Sequence, residues 1–304
     1  MHPQPQPNEF SREDCHPELF ALSLSKGQGR LLGVNVAQIK VKRVQPGHVS
    51  EEDDSLAVEQ PLEISVEYTL PAGRLRQRIS ITMRTPGNDD ELAAGFLFTE
   101  GIIRRRDEIM DIVQIGENEV LLRLTDNAQP TLPATAKSFV TSSACGVCGK
   151  QGIEELRTVS PYRPEADTIC IDARLLYGLQ DKLKKQQQLF NNTGGIHAAA
   201  LFDLQGNYLQ LREDVGRHNA LDKIIGASLL RDQLPLAHTI LLLSGRASFE
   251  LLQKAAMAGI KMVAAVGAPS SLAAELATES GITLIGFLRD ERFNIYSGWQ
   301  RINP

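Results

Sequence analysis

Residues 241–250 read LLLSGRASFE, and this stretch decides the fold class. The leucine run predicts a buried strand, the Ser-Gly-Arg segment predicts a turn, and the residues after it predict a helix. The same alternation of strands and helices fills the second half of the chain, which predicts an α/β layer. Strands are expected at 138–141, 197–203, 208–212, 239–243, 262–266, 283–287 and 293–297, and helices at 150–157, 172–187, 219–230, 249–258 and 271–280.

The first half of the chain carries a period of two instead. Apolar residues alternate over 62–68 and 79–83 on either side of a Pro-Ala-Gly turn, which predicts a β-hairpin. Asn88 or Asp89 is expected to cap a helix that ends at Gly101. Two more strands are expected at 109–115 and 120–124.

Two segments lack a sustained period. Residues 1–34 are rich in proline and glycine and are expected to be a disordered leader. Residues 45–59 contain an acidic run, which is typical of a solvated loop. We therefore divide the chain into a leader at 1–34, a small α+β domain at 35–135 and a larger α/β domain at 136–304.

Composition narrows the class of protein. The formal net charge of −5 over 304 residues provides no general basic field, so binding to nucleic acid through bulk phosphate attraction is not expected. No apolar run approaches the roughly 20 residues that a membrane-spanning helix needs, so membrane insertion is not expected either. The N-terminus lacks a signal-peptide layout, and four cysteines are too few for a disulfide scaffold. We expect a cytoplasmic protein.

Cys145 and Cys148 form a Cys-x-x-Cys pair between a predicted strand and a predicted helix. A helix N-terminus lowers the pKa of a nearby thiol and so favours the thiolate, which is the form that attacks sulfur. The glycines at 146 and 149 allow close approach to a bulky partner. Four interpretations remain open: a sulfur relay, a thioredoxin-type dithiol, a zinc site that would need further ligands, and a buried structural pair.

Three further turns carry polar residues suited to anion binding. They lie in the segments NNTGGIHAA at 191–199, EDVGRHNALDK at 213–223 and SGR at 244–246. Glycines expose backbone amides, and an arginine at a helix start adds a fixed positive charge, so such turns favour phosphate groups. Two of them also have a plainer interpretation: His197 as a structural histidine, and residues 214–219 as an ordinary helix cap with solvated charges. None of the three turns matches a Walker loop or a Gly-x-Gly-x-x-Gly dinucleotide motif.

Five ordered motifs resemble the formate dehydrogenase accessory sulfurtransferase family. They are NDDELAAGFL at 88–97, SACGVCG at 143–149, TGGIH at 193–197, DVGRHNALDK at 214–223 and SGRASFE at 244–250. The resemblance runs from about residue 35 to the end. It implies a larger domain resembling the cytidine deaminase fold, and a homodimer.

The resemblance also implies an activity. Members of the family accept sulfur from a cysteine desulfurase and pass it to the molybdenum of a bis(molybdopterin guanine dinucleotide) cofactor destined for formate dehydrogenase, and GDP is the expected mimic of that cofactor. Carried over, Cys145 holds the persulfide and Cys148 assists. The segment FLRDER at 287–292 matches the family's cofactor-binding stretch. The expected cofactor-binding residues are Gly195, His197, Arg217, His218, Asn219, Asp222, Lys223, Ser244, Arg246, Phe287, Leu288, Arg289, Asp290, Glu291 and Arg292.

Two rival functions are weighed against this one. A zinc deaminase needs His-x-Glu followed by Pro-Cys-x-x-Cys, whereas here Ala198 and Ala199 follow His197 and the cysteines precede it. The glutamate that acts as acid and base in a deaminase is therefore absent, and the histidine and the cysteines occur in the reverse order. A non-catalytic chaperone that binds the cofactor, with cysteines that only ligate molybdenum or dock a partner, stays open.

Overall fold

The computed structural model describes residues 29–31, 35–132, 158–162 and 168–304. Its strands are β1 (Gly29–Leu31), β2 (Val36–Gln45), β3 (His48–Ala57), β4 (Gln60–Leu70), β5 (Gly73–Arg84), β6 (Ile109–Gly116), β7 (Glu119–Leu124), β8 (Ile171–Asp172), β9 (His197–Asp203), β10 (Tyr208–Asp214), β11 (Thr239–Leu243), β12 (Met262–Ala265), β13 (Thr283–Arg289), β14 (Arg292–Ser297) and β15 (Ile302–Asn303). Its α-helices are α1 (Asp89–Thr99), α2 (Ala173–Tyr177), α3 (Leu179–Gln186), α4 (Gln188–Thr193), α5 (Arg217–Leu230), α6 (Phe249–Met257) and α7 (Ser271–Glu279).

A six-stranded mixed sheet organises the second half of the chain, in the order β10-β9-β11-β12-β13-β14. Strands β11, β12 and β13 run parallel, and the remaining pairings are antiparallel. Successive residues of β11 enter different cores: Leu241 and Leu243 pack with α5 to α7, whereas Ile240 and Leu242 pack with α2 and α3. Because both faces are covered, the central strands consist of continuous apolar residues.

A four-stranded sheet, ordered β5-β4-β7-β6, forms the smaller unit together with α1. Helix α1 packs directly on α5, and glycines stand at their closest approach. A Cβ atom on Gly95 would overlap the backbone of Asp222, and one on Gly226 would overlap the backbone of Glu91. This close crossing joins the two units through one continuous hydrophobic core.

Strands β1, β2 and β3 form a separate antiparallel sheet, which corrects the prediction of a loop at 45–59. The acidic residues of β3 lie opposite the basic residues of β2. Lys40 pairs with Glu51 at 3.3 Å, and Arg43 pairs with Glu52 at 2.7 Å. Opposite charges across a strand pair stabilise the pairing, so the acidic run is compatible with a strand.

The other predicted elements of the described chain are present with small changes. The expected helix at 172–187 divides at Gly178 into α2 and α3. Gly29–Leu31, within the expected leader, forms β1. The predicted strand at 138–141, the predicted helix at 150–157 and the domain boundary at 135 lie outside the described residues. The mixed α/β architecture of the larger unit is present, whereas its predicted resemblance to the cytidine deaminase fold stays a prediction.

No helix in the described ranges combines the length and the apolar character that crossing a membrane requires.

Candidate functional site

The predicted turns meet at one edge of the six-stranded sheet. Parallel strands β11 and β12 pair Leu243 with Ala265, so both end at this edge. The antiparallel strand β9 begins there, because Ala199 lies opposite Leu243. Strand β10 ends there as well, with Asp214 opposite His197. Open α/β sheets bind ligands at the carboxyl ends of their parallel strands, and this is that edge.

His197 lies half-buried at the start of β9, next to the Ser-Gly-Arg turn. A Cβ atom on Gly245 would lie 3.4 Å from Nδ1 of His197, which places the imidazole directly against the Ser-Gly-Arg turn. Burial lowers the pKa of His197, and the positive charges of Arg217 and His218 lower it further. The neutral imidazole is therefore favoured at neutral pH.

Arg217 begins helix α5, and its guanidinium is incompletely bonded. Its Nε atom is buried and has no hydrogen-bond partner among the residues that the structure describes. Gly216, the residue that precedes the helix, supplies no capping side chain. A buried donor without a partner costs free energy, and a helix N-terminus attracts anions. An anion bound at this position would accept a hydrogen bond from Nε of Arg217 and would interact favourably with the helix N-terminus.

His218 connects the starts of two helices. Its Nε2 atom lies 2.7 Å from Oε2 of Glu250 and 3.4 Å from Oγ of Ser248, and the imidazole is buried. Glu250 belongs to the first turn of α6 and was not among the predicted site residues. A signal for it was present in the sequence, since it directly follows the SGRASF turn. The pairing fixes the orientation of the His218 ring beside the sheet edge.

Asn219 and Lys223 are fully engaged inside the protein. The Asn219 amide donates to the Met83 carbonyl at 2.7 Å, and the Lys223 ammonium lies 2.7 Å from Asp214. Lys223 also donates to the Thr85 carbonyl at 2.8 Å. Burial raises the pKa of Asp214, and the charge of Lys223 opposes that shift. These contacts fasten the start of α5 to the end of β5.

Asp222, directly before Lys223 on α5, is likewise bonded inside the protein. Its carboxylate accepts hydrogen bonds from Thr99 of α1 and from Lys254 of α6, each at 2.9 Å. The side chain is buried. In this structure Asp222, Asn219 and Lys223 bind other parts of the chain, while Arg217 at the start of the helix has bonding capacity left.

The turn after β11 presents a different pair of side chains. Ser244 accepts a hydrogen bond from the Ala198 amide at 2.8 Å and so ties β9 to this turn. Arg246, two residues further, is exposed. A Cβ atom on Gly267 would come within 2.9 Å of Cγ of Arg246, so the turns after β11 and β12 are in contact.

The segment 287–292 forms the end of β13 and its turn into β14. Leu288 is completely buried in the second core, whereas the other five residues of the segment are exposed. Nη1 of Arg289 donates to the Val266 carbonyl at 2.8 Å, which holds Arg289 against the turn after β12. The structure thus brings together His197, Arg217, His218, Ser244, Arg246 and the 287–289 segment along one edge. Cys145 and Cys148 lie outside the described residues.

Comparison with known proteins identifies the family. The model of the FdhD/NarQ family matches residues 57–303. The chain belongs to the FdhD/NarQ family.

Relatives of the FdhD/NarQ family match almost the whole chain. It is 42% identical over 283 residues to the sulfur carrier protein FdhD of Mycobacterium tuberculosis, covering 89% of this chain and all of that protein. It is 47% identical over 273 residues to the protein of the same name from Mycolicibacterium paratuberculosis, covering 86% of this chain and 97% of the relative.

A solved structure is also similar. The crystal structure described as a formate dehydrogenase accessory protein from Desulfotalea psychrophila matches with a TM-score of 0.67 and 25% identity, covering 88% of this chain and all of that one. The mixed α/β architecture is therefore an architecture found in this family.

Proposed function

We propose that this chain is a sulfurtransferase that carries sulfur on Cys145 and delivers it to the molybdenum of a bis(molybdopterin guanine dinucleotide) cofactor bound at the sheet edge. Two relatives that match nearly full length are named sulfur carrier proteins, which supports the sulfur chemistry. The Cys145–Cys148 pair supplies the thiols that such chemistry needs.

The proposed loading step is a thiolate attack. The Cys145 thiolate attacks the terminal sulfur of a persulfide on a cysteine desulfurase, the donor's sulfur–sulfur bond breaks, and the donor leaves as a thiolate. Cys145 then carries the persulfide. Delivery is proposed to use Cys148: its thiol attacks the inner sulfur, a Cys145–Cys148 disulfide forms, and the outer sulfur leaves as sulfide toward the molybdenum centre. A dithiol reductant would restore the pair.

The single observation that supports the cofactor site is the buried Nε of Arg217, which has no partner within the described part of the chain and lies at the start of α5, where Gly216 offers no capping side chain. A diphosphate is a suitable ligand for this position, because it supplies the acceptor that the guanidinium lacks and the negative charge that the helix start favours. Arg246 and Arg289 offer further positive charge along the same edge. The residues present therefore fit a ligand with several phosphates.

The partners proposed for this chain follow from the same chemistry. A cysteine desulfurase would supply the sulfur, formate dehydrogenase would receive the cofactor, and the active form would be a homodimer. The proposed compartment is the cytoplasm, where reducing conditions keep a close cysteine pair available for exchange.

Calorimetry with GDP tests the cofactor site. We expect a dissociation constant for GDP in the micromolar range, which corresponds to a binding free energy on the order of 8 kcal/mol. Replacing Arg246 by alanine should weaken the affinity about tenfold to a hundredfold. Arg104→Ala is the matched control, because Arg104 is an exposed arginine of the smaller unit. Equal affinity for ADP, or equal losses from Arg246→Ala and Arg104→Ala, would remove the guanine dinucleotide from the proposal.

A further inference from the structure

Two irregularities interrupt the pairing of β13 with β14. Leu284 lies opposite Ser297 and Ile285 lies opposite Ile295, so Tyr296 is an extra residue on β14. Beyond Gly286 the register shifts again, and Phe287 occupies the irregular stretch of β13. Bulges are over-represented beside functional sites, where they redirect a side chain.

Phe287 adopts a backbone conformation that is unusual for its type. Its φ angle is 53°, in the left-handed region that favours glycine, and its amide donates to the Gly267 carbonyl at 3.1 Å. Regular alternation would place Phe287 on the same face as Ile285, but Leu288 joins Ile285 in the second core instead. Phe287 is left 44% exposed at the sheet edge. Left-handed backbone conformations of bulky residues cluster at functional sites, so the strained, partly exposed Phe287 marks this turn as a candidate ligand contact.

Tyr296 borders the same turn from the neighbouring strand. Its ring carbon Cε2 would lie 3.0 Å from a Cβ atom on Gly286, and Cδ of Pro269 would lie 2.7 Å from that atom. The Gly267 carbonyl oxygen would lie 3.4 Å from it as well. Tyr296 therefore lies against the turn that Arg246 and Arg289 also contact, and it is 39% exposed.

Aromatic rings beside arginines are a combination suited to a nucleotide. Arginine binds the phosphates, and an exposed aromatic plane stacks on a base. We propose that Tyr296, which lies outside the 287–292 segment, stacks on a guanine base of the dinucleotide cofactor. This assignment rests on the proposed function, which places the cofactor at this edge, and it adds Tyr296 as a base-binding residue.

Calorimetry with two probes separates base stacking from a purely structural role. Tyr296→Ala is expected to weaken GDP binding about fivefold to a hundredfold. It should leave binding of inorganic pyrophosphate, which has no base, unchanged. Tyr296→Phe keeps the ring and should bind GDP like the unchanged protein. Tyr208→Ala is the control, because Tyr208 is also 39% exposed but lies on β10 at the other side of the sheet.

Three results would overturn the assignment. If Tyr296→Ala binds GDP with unchanged affinity, Tyr296 does not contact the base. If it loses GDP and pyrophosphate equally, the substitution has damaged the edge as a whole. If it changes only the oligomeric state in size-exclusion chromatography, the aromatic pair belongs to a protein interface. Failure of the unchanged protein to bind GDP would instead overturn the proposed cofactor site, and this assignment with it.

Discussion

Replacing Lys254 by methionine should destabilise the protein by about 3–5 kcal/mol, because it removes the cation from a buried cluster that joins three helices. The Lys254 ammonium, on α6, donates to Thr99 of α1 at 2.8 Å and to Asp222 of α5 at 2.9 Å. Burial alone would lower the pKa of Lys254, but the carboxylates of Asp222 and Glu100 outweigh burial and raise it. Lys254 is therefore charged at neutral pH.

The expected magnitude comes mainly from Asp222, the more buried of the two carboxylates that remain. Methionine keeps most of the apolar length of lysine, so little packing is lost. The Asp222 side chain, 2% exposed, would keep its hydrogen bond from Thr99 but lose its counter-charge. An uncompensated buried charge is the dominant cost. The double variant Lys254→Met, Asp222→Asn removes that charge and should recover about 1–2 kcal/mol of the loss.

Equilibrium denaturation followed by circular dichroism measures these differences. The control is Lys40→Met, because Lys40 pairs with Glu51 while its side chain is 72% exposed. An exposed ion pair is worth at most about 1 kcal/mol, so this variant should unfold almost like the unchanged protein. Equal losses from Lys254→Met and Lys40→Met, or a double variant that recovers nothing, would refute the reasoning.

Four further predictions address the helix crossing and the sheet edge. Gly95→Ala should lower the free energy of unfolding by about 1–3 kcal/mol or more, because its Cβ would meet the α5 backbone. Gly178→Ala is the control and should be tolerated, since nothing lies within 4 Å of its Cβ position. Equal losses from the two variants would contradict the close crossing of α1 and α5. Folding lowers the pKa of His197, so the unfolded state binds the proton first as the pH falls. The free energy of unfolding should therefore decrease as pH drops below the unfolded pKa of 6.5. Denaturation of a His197→Gln variant at several pH values should lack this decrease. The negative charge of bound GDP should raise the pKa of His197 and cause proton uptake on binding. Calorimetry in buffers of different ionisation enthalpy measures that uptake, and His197→Gln corrects for titration of the phosphate itself. Arg217→Ala should weaken GDP binding about tenfold to a hundredfold yet still allow sulfur loading; loss of loading with unchanged GDP affinity would move Arg217 to the surface that docks the donor.

Strands buried on both faces were the easiest elements to predict from sequence. The expected strands at 197–203 and 239–243 coincide with β9, His197–Asp203, and β11, Thr239–Leu243. A central strand must be apolar on both faces, so it appears in the sequence as an uninterrupted run with clear ends.

The ribbon of β2 and β3 was missed for the opposite reason. Its residues are charged and partly exposed, which is typical of a solvated loop. The two strands pair along their whole length, and the exposed ion pairs of Lys40 with Glu51 and of Arg43 with Glu52 add only a little stability. Partners that belong to two different strands give no local signal in the sequence. Only the register of the two strands shows that the acidic residues of β3 lie across from the basic residues of β2.

The candidate site was predictable in its location but not in the role of each residue. Arg217 follows β10 and Arg246 follows β11, so the carboxyl-end rule places both at one edge from sequence. His197 begins β9 and reaches the same edge only because β9 runs antiparallel to β11. Asp222 follows Arg217 closely in the chain, yet its carboxylate binds Lys254 of another helix. Such partners come from distant segments, and only the packing of three helices brings them together.

The most direct test of the central claim is sulfur on Cys145 itself. The purified chain is incubated with a cysteine desulfurase and cysteine, and cyanide-labile sulfur is quantified on the unchanged protein, on Cys145→Ser and on Cys170→Ser. Cys170 is exposed and is not assigned a role, so it controls for non-specific loading of a surface thiol. The account predicts labile sulfur on the unchanged protein and on Cys170→Ser but none on Cys145→Ser. Equal loading of Cys145→Ser, or no labile sulfur on any of the three, would contradict it, and no loading at all would favour a cofactor-binding chaperone without sulfur transfer.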